Sequence, residues 1–342
     1  QWTYSYPDPI RIGLATDELL AMASGSPRNP QIIKATQLIW YRSQTAPEAD
    51  EAAGTQTAQF QDADARVRQD AGGTGPAQAD WEREQPDARF ITIAPMQLRE
   101  AVWTKLSRPI QGLMHHGWQS LVPGLPYAYC YTHPDTQAEL RRLLRGVVEP
   151  LGPTLRDIPN RPSDIGFLEG FASQMFAQRG SYGWNTGWAS DLYMAMGYAQ
   201  LQPEIIYEES IQRDGLDRFK VLVLADCDVL TESVVATVRA FQARGGLVIG
   251  DERLTPALKP DILIQSFQRP KQADQARALL QETAAGLRAA LDPRYERFAD
   301  SSNPDVVVRV RGTGPTWYVF AINDRRVFGD YVGHHGLVME NG

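Results

Sequence analysis

The chain has 342 residues, 22% of them charged and 43% hydrophobic, with a formal net charge of −7. That length supports two or three domains with a sizeable core, and the mix is that of an ordinary globular chain. The lack of any basic block sets nucleic acid aside as a main partner, and no apolar run approaches the ~18 residues of a membrane span. The two cysteines, Cys130 and Cys227, lie far apart in sequence, which is neither a disulfide framework nor a zinc pattern, so the compartment stays open. The opening residues, QWTYSYPDP, have no basic n-region and no apolar h-region and do not read as a signal peptide.

In chain order, residues 10–20 (IRIGLATDELL) read as a buried strand ending in Asp17 and Glu18. Residues 32–43 (IIKATQLIWYRS) read as a lead-in to a second buried strand that ends at Tyr41, Arg42 and Ser43, before Pro47. Residues 48–87 carry ten acids against three arginines and few large apolar side chains. Such a segment buries too little apolar area to offset its ordering entropy, and reads as a surface insertion. FITIAP, Phe90 to Pro95, is a third strand, followed by a helix with Leu98, Val102 and Leu106 at spacing four. A fourth strand, Ile110 to Met114, leads into His115, His116, Gly117 and Trp118. A helix follows, with Leu140, Leu143, Leu144, Val147, Val148 and Leu151 on one stripe and Pro150 expected to end it.

Strand–helix alternation over residues 10–150 favours a parallel sheet or barrel, in which chemistry collects at the C-terminal ends of strands. Residues 163–264 alternate again: strands at SDIGFLEG, EIIYEESI, FKVLVLADC and LVIGDE, and helices at WASDLYMAMGYAQLQ and TESVVATVRAFQARGG. In the last of these Thr231 stands at the N-cap, Val234, Val238 and Phe241 share a face, and Gly245 follows the end. The arrangement is flavodoxin-like, without a G-x-G-x-x-G or a phosphate loop, so no nucleotide cofactor is expected. A further helix, QADQARALLQETAAGLRAAL, precedes a hairpin, DVVVRVR-GTGP-TWYVFAIND. A lone hairpin is marginal, which suggests the start of a larger β unit.

This order of parts resembles glycoside hydrolases of the β-galactosidase type. The resemblance lies in LREAVWTKLSRPIQGLMHHGWQSL, similar to the last barrel helix and strand. It continues in VLVLADCDVLTESVVATVRAFQARGGLVIGDE, similar to the core of the trimerisation domain, and in YVFAINDRR, similar to the opening of the last β domain. It implies three units: 1–155, the C-terminal part of a (β/α)8 barrel with the insertion at 48–87; 156–270, a flavodoxin-like trimerisation domain; and 271–342, a helix and the start of a β-sandwich. It also implies carbohydrate hydrolysis and a homo-oligomer. A full barrel takes ~250 residues, so only its last strands fit here. No residue matches either carboxylate of that family's catalytic pair.

Six residues stand out as site candidates. Asp17 and Glu18, as strand-end carboxylates, could divide acid and base roles, or could simply cap a helix. Arg42 could bind substrate, or pair with Asp17 or Glu18. His115 and His116 could hydrogen-bond a sugar hydroxyl or pack under a rim, and Trp118 offers a flat face for a sugar ring. With no H-x-H or H-x-x-x-H nearby, no metal is expected. Cys227, between Asp226 and Asp228, lacks the surroundings of a nucleophile. The alternative to a hydrolase is a catalytically degenerate relative that binds glycans or serves in assembly.

Overall fold

The computed structural model describes residues 9–28, 30–41, 90–93, 95–117, 135–179, 187–270 and 273–325. Arg42, the insertion at 48–87, Trp118, Cys130 and the segment from 326 onward lie outside the described residues. The described part is a mixed α/β structure whose largest element is a parallel sheet.

The first segment is a helix, not a strand: α1 spans Ile12–Ser24. Every residue from Ile12 to Glu18 is buried. A continuous apolar run cannot by itself distinguish a buried strand from a helix covered on all sides. Here the covering comes from helices and from the sheet. Ile10 and Leu14 pack into the core shared with the 188–198 helix and the central strands.

Residues 33–41 form two short strands, β1 (Ile33–Gln37) and β2 (Ile39–Tyr41), divided at Leu38. β2 pairs antiparallel with β3 (Phe90–Thr92), whereas β1 pairs parallel with β4 (Gly112–His116). The expected row of four parallel strands, 10–17, 34–42, 90–94 and 110–114, is therefore not what these residues form. The β1–β4 pair, with α2 (Pro95–Leu106) between them in sequence, does keep the parallel arrangement. Both histidines lie inside β4 rather than beyond it, with Thr36 opposite His115 and Gln37 opposite His116. Gly117 has φ 82° and turns the chain away, a conformation that costs glycine little.

Next come α3 (Thr136–Leu143), a π-helical turn over Leu144–Val148 and α4 (Glu149–Asp157). Pro150 does not end the run. It falls in the first turn of α4, where a backbone N–H has no required partner in that segment. Leu140, Leu143 and Val147 are buried with Leu38, Leu98 and Val102, while Leu151 at the end of the stripe is exposed.

The central sheet holds β5 (Ile165–Glu169), β6 (Glu204–Tyr207), β7 (Val221–Leu224), β8 (Leu247–Gly250) and β9 (Ile262–Leu263). They lie in the order β6-β5-β7-β8-β9, all parallel, the order of a doubly wound sheet. Alternation sorts the side chains. Phe167, Val221 and Val223 face one core; Leu168, Leu222 and Leu224 face the other. Of the acids of EIIYEESI, Glu204 opens the strand and the other two lie beyond it. Glu208 and Glu209 open a separate helix, Glu208–Asp214, where negative charge suits the N-terminus. The Glu232–Ala243 helix follows Thr231 as expected and buries Val234, Val238 and Phe241, and Gly245 (φ 92°) ends it. Thr231 makes no side-chain cap bond to the backbone.

The Ala273–Leu291 helix contributes Leu280, Leu287 and Leu291 to the first of those cores. The hairpin of β10 (Val306–Thr313) and β11 (Thr316–Asn323) forms as expected. Val308 and Val310 are buried, but so are Val307 and Arg311 on the opposite face. Arg311 Nη1 donates to Leu106 O at 3.0 Å and Arg108 O at 3.2 Å; Nη2 donates to Leu155 O at 2.7 Å and to Ile158 O. One guanidinium thereby satisfies carbonyls at the C-terminal ends of α2 and α4, where positive charge is favoured. Replacing Arg311 with Met keeps the stem and removes these bonds. We expect a loss of about 3 kcal/mol, read from urea denaturation, since several buried carbonyls lose their donors at once.

Candidate functional site

Asp17 lies on the buried side of α1. Its Oδ1 accepts from Arg108 Nε at 2.9 Å and Arg309 Nη2 at 3.0 Å; its Oδ2 accepts from Arg108 Nη2 at 3.0 Å and Arg309 Nη1 at 3.1 Å, and from Tyr193 Oη. Burial by itself would raise this carboxyl's pKa, but the charges and hydrogen bonds of Arg108 and Arg309 outweigh it and hold the pKa below the usual carboxylate value. Burial and the Asp17 charge push the Tyr193 phenol up. Two forked guanidinium contacts and a phenol use the lone pairs of Asp17, so it stays ionised and has no capacity left to carry a proton. Removing it leaves two guanidinium groups buried without their anion. Asp17→Ala should therefore cost at least about 3 kcal/mol in chemical denaturation; a loss below about 1 kcal/mol would mean that water or another anion takes its place.

Glu18, the next residue, is fully buried and belongs to a different cluster. It acts electrostatically on Lys34 of β1 and on Glu169 at the end of β5. Glu169 is 4% exposed, and its Oε1 accepts from Gln174 Nε2 at 3.2 Å. Burial, then the negative charge of Glu18, pushes Glu169 up to about 9. Burial and the second carboxyl therefore favour a proton held within the Glu18–Glu169 pair. The cations of the seam move the other way. Burial lowers Lys34 to about 8, against the pull of Glu18. Burial and the neighbouring charge of Lys34 lower Lys105 to about 7. Burial and Lys105 lower His115 to about 4, so its imidazole is neutral. His116 follows in the strand and points to the other side, and its carbonyl accepts from Leu38 N at 2.8 Å.

Of the six candidates, the structure links Glu18 and His115 only indirectly, through Lys34 and Lys105. Asp17 belongs to its own arginine cluster, and Arg42 and Trp118 lie outside the described residues. The carboxyl that Glu18 does adjoin, Glu169, was not singled out by the sequence. Its one signal was an acid closing the strand IGFLEG, at the end of a parallel strand where functional groups gather.

The rim of the sheet beyond β7 and β8 is tightly bonded. Asp251 Oδ2 accepts from Trp188 Nε1 and Asp226 N, both at 2.7 Å, and Asp226 Oδ1 accepts from Arg253 Nη1 at 2.6 Å. Asp226 has φ 53°. Burial first, and then Asp251 and Asp226, push the Cys227 thiol up, which keeps it protonated and unreactive. Among the described residues no group of three or more His, Cys, Asp or Glu side chains could hold a metal ion.

No protein-family model matches the sequence, and no curated protein matches it. Similar solved structures are GH42 β-galactosidases and other glycoside hydrolases. A β-galactosidase from the psychrophilic Marinomonas ef1 shares 18% identity over 56% of this chain and 29% of its own, with a TM-score of 0.33. A catalytic mutant of a GH42 β-galactosidase from G. stearothermophilus shares 13% identity over 72% of this chain and 48% of its own, with a TM-score of 0.43. α-L-Fucosidase isoenzyme 2 from Paenibacillus thiaminolyticus shares 16% identity over 48% of this chain and 23% of its own, with a TM-score of 0.32. The match covers less than half the length of each of these proteins.

The Glu18–Glu169 pair has a measurable consequence. The folded state holds Glu169 at about 9, above the ordinary 4.5. Its neutral form thus contributes stability that is fully present below pH 4.5 and is lost as pH rises through about 9. Glu169→Gln should flatten that fall in a series of denaturation curves from acid to alkaline pH. An unchanged slope would show that the carboxyl is ionised in the fold.

Proposed function

We propose that this chain is part of a carbohydrate-active glycoside hydrolase. On this reading the region to residue 155 closes a (β/α) barrel, residues 156–270 are a flavodoxin-like unit through which copies associate, and residues 271–342 lead into a β domain. The observation that carries it is the succession of units. A parallel β–α–β pair is followed by a five-stranded parallel sheet in doubly wound order and then by a hairpin packed on both. Association through the middle unit is supported by the short Phe171–Ala177 helix, which leaves Phe171, Met175 and Phe176 exposed beside one end of the sheet.

A second reading is favoured by one specific observation. Asp17 is fully engaged by Arg108, Arg309 and Tyr193 and offers no catalytic carboxylate. A catalytically degenerate relative that binds glycans or serves in assembly would need none. The two readings separate in one assay of nitrophenyl glycosides alongside a glycan-binding screen, both run on the intact protein of which this reading makes the chain a part. Nitrophenol release above the uncatalysed rate is the expected result; binding without release selects the second reading, and neither activity overturns both.

A further inference from the structure

A groove of about 840 Å³ lies between the hairpin and the helices α2 and α4, away from the Glu18–Glu169 seam. Residues Trp317 to Asn323 of β11 line it without a break. Side chains of a strand alternate between its two faces, so an unbroken run means that the groove follows the backbone edge of β11. β10 occupies one edge along the whole register, and among the described residues no strand pairs with the other. The far wall carries Trp103 of α2 and Thr154 of α4, and Arg325 lies near one end. Trp317 is 41% exposed, held edge-on against Phe298 with the ring centres 4.9 Å apart. Its ring is thus fixed in place and open to the groove.

We propose that this groove binds a short oligosaccharide. The inference rests on the carbohydrate reading above and gives it a second site. A pyranose ring has a flat C–H face that lies on an aromatic ring and a rim of hydroxyls that need donors and acceptors. Trp103, Trp317 and Tyr318 supply rings in the groove walls; Thr154, Asn323 and Arg325 supply polar groups. The edge of β11 that has no partner strand among the described residues adds alternating N–H and C=O groups along the length of a linear chain of sugars. The volume falls within the range of small-ligand sites, and rings with a few polar groups are the usual lining of such sites.

The test is calorimetric titration of the 342-residue chain with short galacto-, gluco- and xylo-oligosaccharides, alongside Trp103→Ala, Trp317→Ala and Trp317→Tyr. At least one oligosaccharide should bind. Each alanine variant should weaken it by roughly tenfold, and Trp317→Tyr, which keeps a ring, should retain most of the affinity. If Trp317→Ala fails to fold by circular dichroism, Trp103→Ala and Trp317→Tyr still decide. Equal binding by folded variants, or no binding by the parent chain, overturns the inference. Loss of self-association in Val319→Lys also overturns it, because the edge would then hold a polypeptide strand. Hydrolysis without groove-dependent binding removes this site and leaves the hydrolase reading, whereas groove-dependent binding without hydrolysis does the reverse.

Discussion

The carboxylate of Asp17 is the point on which the arrangement turns. It belongs to the first helix, yet its partners come from the end of α2, from the Trp188–Tyr198 helix and from β10. Four elements far apart in sequence therefore meet at one buried anion. Two guanidinium groups in an apolar interior are tolerable only while that anion is present. The geometry also explains why α1 is helical. In a helix Leu14 turns toward the apolar core and Asp17, three residues on, reaches the arginines from the same side, whereas an extended chain would point the two to opposite faces.

The same logic ties the hairpin into the molecule. Arg309 and Arg311 alternate with valines along β10, and both faces of the strand are buried. Arg309 reaches Asp17, and Arg311 reaches the carbonyl ends of two helices. An isolated two-stranded hairpin has little stability of its own. Here it is held by the charge-assisted hydrogen bonds of the two arginines and by the packing of Val307, on the same face, into the apolar core. Among the described residues that leaves the outer edge of β11 without a partner strand.

The seam of Glu18, Glu169, Lys34, Lys105 and His115 behaves differently from the Asp17 cluster although it starts one residue away. Asp17 meets two cations of fixed charge and stays ionised. Glu18 meets a lysine and another carboxyl, groups that can give up or take a proton, so burial shifts their pKa values in favour of the uncharged forms. Adjacent carboxylates on one helix thus enter two different charge clusters, one with arginines and one with a lysine and a second carboxyl.

The strands of the parallel sheet were legible in the sequence, because they are short apolar runs separated by strong helix and turn signals such as Thr231 and Gly245. The sequence by itself also determined the hairpin, the α2 helix and the inert setting of Cys227. It did not determine that residues 12–24 are helical, since the first half of that run, 12–18, is buried on every side and has no periodicity to read. It did not determine that residues 33–41 split between a parallel and an antiparallel partner, because pairing direction depends on segments distant in the chain. Pro150 looked like a stop because its place after a π-turn is not visible locally. The site divided in the same way. Sequence marked Glu18 and His115 by type and position, but only the tertiary structure placed Glu169 beside Glu18 and Arg309 beside Asp17. Those contacts span more than a hundred residues, and no local pattern encodes which buried charges will meet.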